Sequence, residues 1–362
     1  MGGARLIQLV DKLGGIDSVV AAGQPALRQA GLDAEAIGAI RNPDSSLLDL
    51  DINWLAESDH HLLTWDSDRY PALLRDTPSP PAALFVEGDP NVLWQPQIAV
   101  IGSRNPTTGG RENALDFSSE LSRQGLTITS GMASGIDSCA HMAALKAGGL
   151  TVAVTGTGLD RVYPASSRQL AQKIRQQGVL VSEFPPGTGA KRSHFPSRNR
   201  IISGLSLGVL VIEAGLNSGT LITARMAGNQ GRDVFALPGS IHNPMSKGCH
   251  RLIRDGARLV ENVAQIMEEL APLAGQLAGQ LRKELETPVE QSQLEFSEHE
   301  PQVEQDPDYR KLWSCLGFDP RPMDSIIDQS GLTARAVSAM LLMLELRGKA
   351  EAHPGGAWSR KK

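Results

Sequence analysis

Short apolar runs alternate with longer amphipathic segments between residues 97 and 260, and this alternation constrains the fold more than any other feature. Seven runs have the length and composition of buried strands: 98–102, 126–130, 151–156, 179–183, 209–214, 233–239 and 258–260. Helix-like segments lie between them: 111–124, 134–148, 166–177 and 219–230. Because strands that alternate with helices build a parallel sheet covered on both faces, the pattern predicts an α/β fold with an enlarged Rossmann-like sheet. In such sheets, ligands bind beyond the carboxyl ends of the strands.

The sequence on either side of this pattern divides into further regions. Residues 1–45 contain short amphipathic helices separated by glycines, and 46–96, with several Pro and Trp residues, are expected to form a connecting subdomain. The Rossmann-like domain then covers 97–272. An acidic flexible linker is predicted at 273–305. The final segment, 306–362, has the pattern of a helical unit with a terminal hairpin, which is typical of a winged helix.

The acidic net charge of the chain comes from one stretch. The formal charge is −5, but nine carboxylates and no Lys or Arg lie between Glu284 and Asp308. Without those nine negative charges the remainder carries +4. The folded regions are therefore mildly basic, and a polyanionic partner is compatible with the composition.

The sequence predicts a cytoplasmic protein without a membrane partner. No apolar run approaches membrane-spanning length, and the first residues have too short an apolar stretch for a signal peptide. The three cysteines lie far apart and form no CxxC pair, so no disulfide or zinc framework is expected.

Small, polar and Gly-rich segments follow four of the predicted strands, at 102–107, 130–137, 156–158 and 213–220. Glycines allow a backbone to approach phosphate closely, and free N–H groups at helix N-termini favour anions. Any one of these segments could be an ordinary βα turn. Four of them at one sheet edge, together with Arg104, favour an anion-binding crevice.

No cofactor is expected, because the known nucleotide fingerprints are missing. Gly156 and Gly158 have Arg161 where the third glycine of GxGxxG belongs, and no Walker motif occurs. No metal is expected either, because His242 and its neighbours Cys249 and His250 lack a fourth ligand at zinc spacing.

No catalytic residue is expected. The segment 204–208 matches GxSxG, but it follows a helix-like segment and opens a strand, which is the reverse of a nucleophile elbow. Cys139 and His141 are two residues apart on a predicted helix, so their side chains point away from each other.

The segment KRSHFPSRNR, at 191–200, gathers four cations around Phe195 without an acid. Single-stranded nucleic acid is held by cations along its phosphates and by aromatic side chains that stack on bases. Pro196 predicts a helix that begins near Ser197, whose N-terminus can also meet phosphate. The composition alone is equally consistent with a solvated basic loop whose Phe195 is tucked into the core.

Seven blocks of the sequence resemble the DNA-processing protein A (DprA/Smf) family. They are GSRNPT, TSGMASGIDSCAH, GTGLDRVYP, SEFPPG, FPSRNRIISGLS, VIEAGLNSGTLITARMAGNQGRDVFALPG and KGCHRLIRDGA. The resemblance implies an N-terminal SAM/helix-hairpin-helix-like domain and a C-terminal winged-helix domain. It implies a non-enzymatic recombination mediator that binds and protects incoming single-stranded DNA in natural transformation. Such a protein forms a homodimer through the Rossmann-like domain and helps to load the RecA recombinase.

The resemblance also implies a set of DNA-binding residues. The positions that match the family's DNA pocket are Gly102, Ser103, Arg104, Phe195, Arg198, Asn199, Arg200, Ser218, Gly219 and Thr220. Arg104 and Arg200 are expected to pair with phosphates, Phe195 to stack on or support a base, and the small residues to offer backbone N–H groups. Lys191 and Arg192 stand where the family varies and are expected to assist.

Two other functions remain open. Related Rossmann-like phosphoribohydrolases place a catalytic Glu near a nucleotide phosphate, and Glu213 could have that role, although their PGGxGTxxE signature is absent. The C-terminal winged helix could bind duplex DNA. Its expected recognition helix has Arg335 and Arg347 as its only basic residues, which favours a protein-interaction module instead.

Overall fold

The structure is a computed structural model. It describes residues 3–271, 273, 307–317, 320–332, 337, 340, 341, 344, 349–353 and 357–361. The chain forms two compact units, Met1–Thr287 and Pro288–Lys362. The linker expected at 273–305 lies, except for residue 273, outside the described residues.

In the described part of the first unit, nine strands form one sheet. They are β1 (His60–Thr64), β2 (Ala83–Gly88), β3 (Gln97–Ile101), β4 (Thr127–Gly131), β5 (Thr151–Val154), β6 (Val179–Ser182), β7 (Gly208–Val211), β8 (Asp233–Ala236) and β9 (Arg258–Leu259). Their spatial order is β1-β2-β6-β5-β4-β3-β7-β8-β9. Strands β3 to β9 are parallel to one another and coincide with the seven predicted strands. The prediction of an α/β fold with a large, mostly parallel sheet is confirmed.

Two strands, β1 and β2, were not predicted. They come from the region expected to be a connecting subdomain, and they extend the sheet beyond β6 in antiparallel pairing. The segment between them is held by Tyr70, which is fully buried and donates a hydrogen bond from its hydroxyl group to the carbonyl oxygen of Pro81, at 2.7 Å. The pattern was missed because β1 is an edge strand, and β2 is buried on both faces at Leu84, Phe85 and Val86. Neither strand shows clean alternation.

Helices are distributed along the first unit, and those from residue 45 onward cover both faces of the sheet. They are α1 (Gly3–Leu13), α2 (Ile16–Ala21), α3 (Gln24–Gln29), α4 (Ala34–Arg41), α5 (Ser45–Leu55), α6 (Ala72–Arg75), α7 (Thr108–Arg123), α8 (Ile136–Lys146), α9 (Arg168–Gln177), α10 (His194–Leu205), α11 (Thr220–Asn229) and α12 (Lys247–Arg254), with a further helix at 263–271. Successive residues of a strand point to opposite faces. Ile98 and Val100 of β3 therefore pack with α7 and α8, whereas Ala99 and Ile101 pack with α10 and α11.

The helices α1 to α4 have a small core of their own. It includes Leu9, Val19, Leu27 and Ile37, all of which are buried. Asp33 caps α4, because its side chain accepts a hydrogen bond from the backbone N–H of Ala36. The sequence prediction of short helices at the N-terminus is therefore correct. Within the residues that the structure describes, no helix combines the length and the apolar character needed to cross a bilayer.

The second unit contains helices and a small antiparallel sheet. Its described elements are helices Pro307–Cys315 and Met323–Ser330 and strands Arg321–Pro322, Ala350–His353 and Ala357–Arg360. Its core includes Leu312, Ile326 and Leu341. Gly331 ends the second helix in the left-handed conformation, at φ 65°, as a C-terminal glycine does. Most of the expected recognition helix lies outside the described residues.

Candidate functional site

A cleft opens at the point where the order of the parallel strands reverses. Strands β4, β5 and β6 extend the sheet on one side of β3, and β7, β8 and β9 extend it on the other. The loops after β3 and β7 therefore diverge from each other and leave a crevice, which is where open α/β sheets bind ligands. The cleft has a volume of about 820 Å³ and is lined by both loops. This volume is in the range of sites for sizeable ligands.

Segments from at least five distant parts of the sequence line the cleft. Among the residues that line it are Gly102, Ser103, Arg104 and Asn105 after β3, Ala133 and Asp137 after β4, Tyr163 after β5, Arg192, Phe195, Arg198 and Asn199 in and before α10, and Asn217, Ser218, Gly219 and Thr220 after β7. Of the described lining residues, three are arginines and one is a carboxylate. The cleft therefore has an excess of positive charge.

Three helices begin at the cleft and add to this positive potential. The first turns of α8, α10 and α11 contribute Asp137, Phe195 and Thr220 to its wall. The start of α11 is held against the β3 loop, because the hydroxyl group of Thr220 donates to the carbonyl oxygen of Gly102 at 3.1 Å and accepts from the hydroxyl group of Ser218 at 2.9 Å. Helix N-termini carry a partial positive charge and unsatisfied N–H groups, so their convergence suits an anion.

Arg198 forms the floor of the cleft. It is only 5% exposed, and its Nη1 atom donates a hydrogen bond to the carbonyl oxygen of Val154 at 2.6 Å. Its guanidinium occupies the space beside Gly131, where an added Cβ atom would lie 1.8 Å from Nη1. A residue with any side chain at the end of β4 would displace this arginine.

Asp137 is the negative counterpart of Arg198. Burial raises the pKa of Asp137 to about 6, and the positive charge of Arg198 opposes that shift. Burial also lowers the pKa of Arg198 from its ordinary value, and the charge of Asp137 opposes that shift in turn. The carboxyl group of Asp137 therefore changes charge near pH 6, within the electrostatic influence of Arg198.

Phe195 lies at the surface of the cleft between a cation and a second aromatic ring. The guanidinium carbon of Arg104 is 5.9 Å from the centre of its ring, and the ring of Tyr163 is 5.5 Å away, centre to centre. Phe195 also packs over Gly156, where an added Cβ atom would lie 3.2 Å from Cδ1. Phe195 is half-buried and faces the cleft, so it is not part of the hydrophobic core.

Ten of the twelve residues expected to bind DNA line the cleft. They are Gly102, Ser103, Arg104, Arg192, Phe195, Arg198, Asn199, Ser218, Gly219 and Thr220. The structure does not bring Arg200 or Lys191 into it. Lys191 is exposed in the loop that leads to α10.

Arg200 requires a correction to the expected phosphate pairing. It forms an ion pair with Glu183, in the segment that follows β6, and both side chains are largely buried. With 3.6 residues per helical turn, Arg200 lies about 200° around α10 from Arg198, so the two arginines cannot face the same side. The helix also begins three residues earlier than expected, at His194 instead of near Ser197.

Several lining residues lie outside the predicted set, and Tyr163 and Asp137 are the two with the clearest chemical role. Tyr163 follows a Gly-rich loop and is 52% exposed, and an exposed aromatic residue at that place is the signal that could have identified it. Asp137 was seen only as part of a Gly-rich segment. Its electrostatic interaction with Arg198 joins residues 61 positions apart, and no local pattern in the sequence indicates such an interaction.

The catalytic candidates are engaged elsewhere. Glu213 is buried and accepts hydrogen bonds from the backbone N–H of Thr107, at 2.9 Å, and from its hydroxyl group, at 2.6 Å, so it anchors the loop before α7. Ser206 is buried between α10 and β7, and its hydroxyl group donates to the carbonyl oxygen of Ile202. Cys139 is also buried, and burial raises the pKa of its thiol.

Comparison with known proteins gives consistent matches along most of the chain. The family model for DNA recombination-mediator protein A matches residues 61–271, and the model for the DprA winged helix domain matches 297–356. Protein Smf of Escherichia coli is 40% identical over 354 residues, which cover 97% of this chain and 90% of that protein. The DNA processing protein DprA of Bacillus subtilis is 44% identical over 56% of this chain and 69% of its own length.

Two solved structures are similar in fold and sequence. DNA processing protein A from Streptococcus pneumoniae superposes with a TM-score of 0.66 and 36% identity, over 73% of this chain and 92% of that one. DNA processing protein A from Helicobacter pylori, whose structure is described in terms of its single-stranded DNA binding mode, gives a TM-score of 0.54 and 29% identity. That match covers 59% of this chain and 96% of the Helicobacter chain.

Proposed function

This chain belongs to the DNA recombination-mediator protein A (DprA/Smf) family, and from that premise we propose that it binds single-stranded DNA in the cleft between β3 and β7. The observation that carries the proposal is the arrangement of Phe195 beside Arg104 at the mouth of a cleft that is positively charged and ringed by helix N-termini. The single-stranded DNA binding described for the Helicobacter protein supports it.

The aromatic residues favour a single strand over a duplex. Phe195 and Tyr163 are both accessible from the cleft, and a ring can stack only on a base that is not already paired and stacked in a duplex. A strand would place a base against Phe195 and a phosphate against Arg104, which is exposed and has no carboxylate within 4 Å among the described residues.

The remaining lining residues would have different roles. The backbone N–H groups near Ser218, Gly219 and Thr220, at the start of α11, would receive a phosphate. Arg198 is too deeply buried to follow a flexible strand, so it would set the potential of the floor and hold the loops after β4 and β5 in place. Arg200, paired with Glu183, would stabilise α10 instead of contacting DNA.

We further propose that the protein acts as a non-enzymatic recombination mediator that protects incoming DNA in natural transformation, works as a homodimer and helps to load RecA. The family description and the names of the relatives support a role in DNA recombination. The engagement of Glu213 with Thr107 argues against the phosphoribohydrolase alternative. Incubation with AMP tests this point, since release of free adenine at turnover would contradict it.

A binding titration tests the DNA site. Fluorescence anisotropy with oligo-dT and with duplex of the same length should show a preference for the single strand. The logarithm of the affinity should fall with the logarithm of salt concentration, by about 0.7 per neutralised phosphate. Arg104→Ala should weaken binding and reduce that slope by about 0.7. The matched control is Arg123→Ala, at the exposed end of α7, which should bind like the wild type. Equal binding by wild type and Arg104→Ala would refute the site.

Two further measurements test the assembly. Sedimentation equilibrium should show a dimer. The rate at which RecA assembles on DNA covered by a single-strand-binding protein should rise on addition of the wild type. Arg104→Ala should support a smaller increase, because the proposed loading requires the mediator to hold the same strand.

A further inference from the structure

A second concave surface lies beyond Tyr163, outside the cleft. We call it the basic groove, and it is lined by Asp160, Arg161, Val162, Arg168, Gln172 and Arg175. Its volume is about 570 Å³ and it is open to solvent. The groove is formed by the segment after β5 together with one side of α9, so it belongs to the same sheet edge as the cleft.

Two of the three arginines in the basic groove are available to a ligand. Arg175 is engaged, because its Nε atom contacts Glu87 at 2.5 Å. Arg161 is 57% exposed and shares its charge with Asp160 at 3.2 Å. Arg168 is exposed and, among the described residues, has no carboxylate within 4 Å. The groove therefore presents a net positive surface.

The position of Arg168 works against the stability of its own helix. Arg168 is the first residue of α9, and the first turn of α9 contains no acidic residue. A cation at a helix N-terminus is repelled by the helix dipole. An anion bound there would meet both the guanidinium of Arg168 and the N–H groups of the first turn. The arrangement is thus suited to a phosphate.

The basic groove and the cleft are connected. Tyr163 lines the cleft and is also part of a smaller cavity, of about 130 Å³, together with Arg104 and Phe195. Only Val162 separates Tyr163 from Arg161 in the chain. On the other side, the loop that carries Lys191 touches the groove, because an added Cβ atom on Gly189 would lie 4.0 Å from Nη1 of Arg161. The cleft and the groove therefore adjoin around residues 161–163, and arginines line both.

We propose that the basic groove is a second contact site for the backbone of the same single strand, which leaves the cleft over the ring of Tyr163 and places phosphates against Arg161 and Arg168. This inference rests on the proposed function of the cleft. The inference also explains how Lys191 could assist binding, since Lys191 lies outside the cleft but in the loop that touches Arg161. The groove reads no base sequence, because its cations meet only the backbone.

The dependence of affinity on strand length tests the inference. Anisotropy titrations of the full chain would use oligo-dT from about 4 to about 16 nucleotides, the range of known single-strand sites. The double variant Arg161→Gln/Arg168→Gln should bind the shortest strands that fill the cleft as the wild type does. It should bind the longest strands roughly tenfold more weakly at low salt, and with a salt slope smaller by about 1.4, because two phosphate contacts are lost.

A control variant with the same change in net charge distinguishes direct phosphate contacts in the groove from the effect of the protein's overall charge. Arg123→Gln/Lys146→Gln removes two exposed cations at the ends of α7 and α8, at the opposite edge of the sheet, and should keep the wild-type length dependence. The inference is overturned if the groove variant matches the wild type at every length, if the control weakens long strands equally, or if the groove variant loses affinity only for duplex. The first of these results leaves the proposed function intact, whereas failure of the wild type to bind oligo-dT refutes both.

Discussion

The guanidinium of Arg198 fills the place where Gly131 lacks a side chain. Arg198 belongs to α10 and Gly131 ends β4, and an added Cβ atom on the glycine would lie 1.8 Å from Nη1 of the arginine. The same nitrogen donates to the carbonyl oxygen of Val154 at the end of β5. One buried arginine thus joins two strand ends and carries positive charge to the floor of the cleft.

Gly131→Ala should test this relationship through stability. The added methyl group must displace Arg198 or shift β4, so the free energy of unfolding should fall by about 1–3 kcal/mol. Denaturant titration measures the change. Gly109→Ala is the matched control, since Gly109 lies in α7 with no atom within 4 Å of the added Cβ atom, and it should keep or slightly raise stability. Equal stability of wild type and Gly131→Ala would contradict the packing described.

Affinity for single-stranded DNA should depend on pH through Asp137. Its pKa is raised to about 6, so the carboxylate is charged above that pH and offsets part of the positive charge of the cleft. As pH falls through 6 the carboxyl group becomes neutral, and the affinity should rise. Titrations with oligo-dT between about pH 5 and pH 8 measure this step. In Asp137→Asn this rise in affinity should vanish. A rise of unchanged size in that variant would show that another group titrates.

Arg200→Ala should affect stability far more than DNA binding. Loss of this arginine leaves Glu183 largely buried without its hydrogen-bond partner, which should cost about 1–3 kcal/mol of unfolding free energy. Because Arg200 does not line the cleft, the salt slope for oligo-dT should match the wild type at temperatures where the variant is folded. Glu183→Gln/Arg200→Ala should recover part of the stability. A reduced salt slope in Arg200→Ala would instead show that Arg200 contacts a phosphate, as the sequence predicts.

Phe195→Ala should weaken binding without changing its dependence on salt. Stacking of a base on an aromatic ring contributes about 1–3 kcal/mol and releases no counterions. The affinity for oligo-dT should therefore drop by that amount, while the salt slope stays the same. Phe195→Tyr keeps the ring and should bind like the wild type. If Phe195→Ala kept its affinity but showed a smaller dependence of affinity on salt, Phe195 would act by positioning Arg104.

The sequence was sufficient to predict the main sheet and most of the lining of the cleft. Buried parallel strands are continuous apolar runs, and the loops at their carboxyl ends must contain small residues wherever the backbone approaches a ligand. Gly102, Arg104 and Ser218 could be placed at one edge by this local reasoning alone. The strands β1 and β2 could not be predicted in this way. One is an edge strand and the other is buried on both faces, so neither shows the alternation of apolar and polar residues that marks a strand.

The tertiary structure decided which side chains share the cleft. Arg198 and Arg200 are equivalent in the sequence, and only the rotation of α10 against the sheet directs one to the cleft and the other to Glu183. The strand order likewise depends on how the helices pack on each face, and it places the reversal between β3 and β7. Short-range patterns determine the elements because backbone geometry is local. Electrostatic interactions such as that of Asp137 with Arg198 arise only when the whole sheet has folded, because they join residues that no local pattern relates.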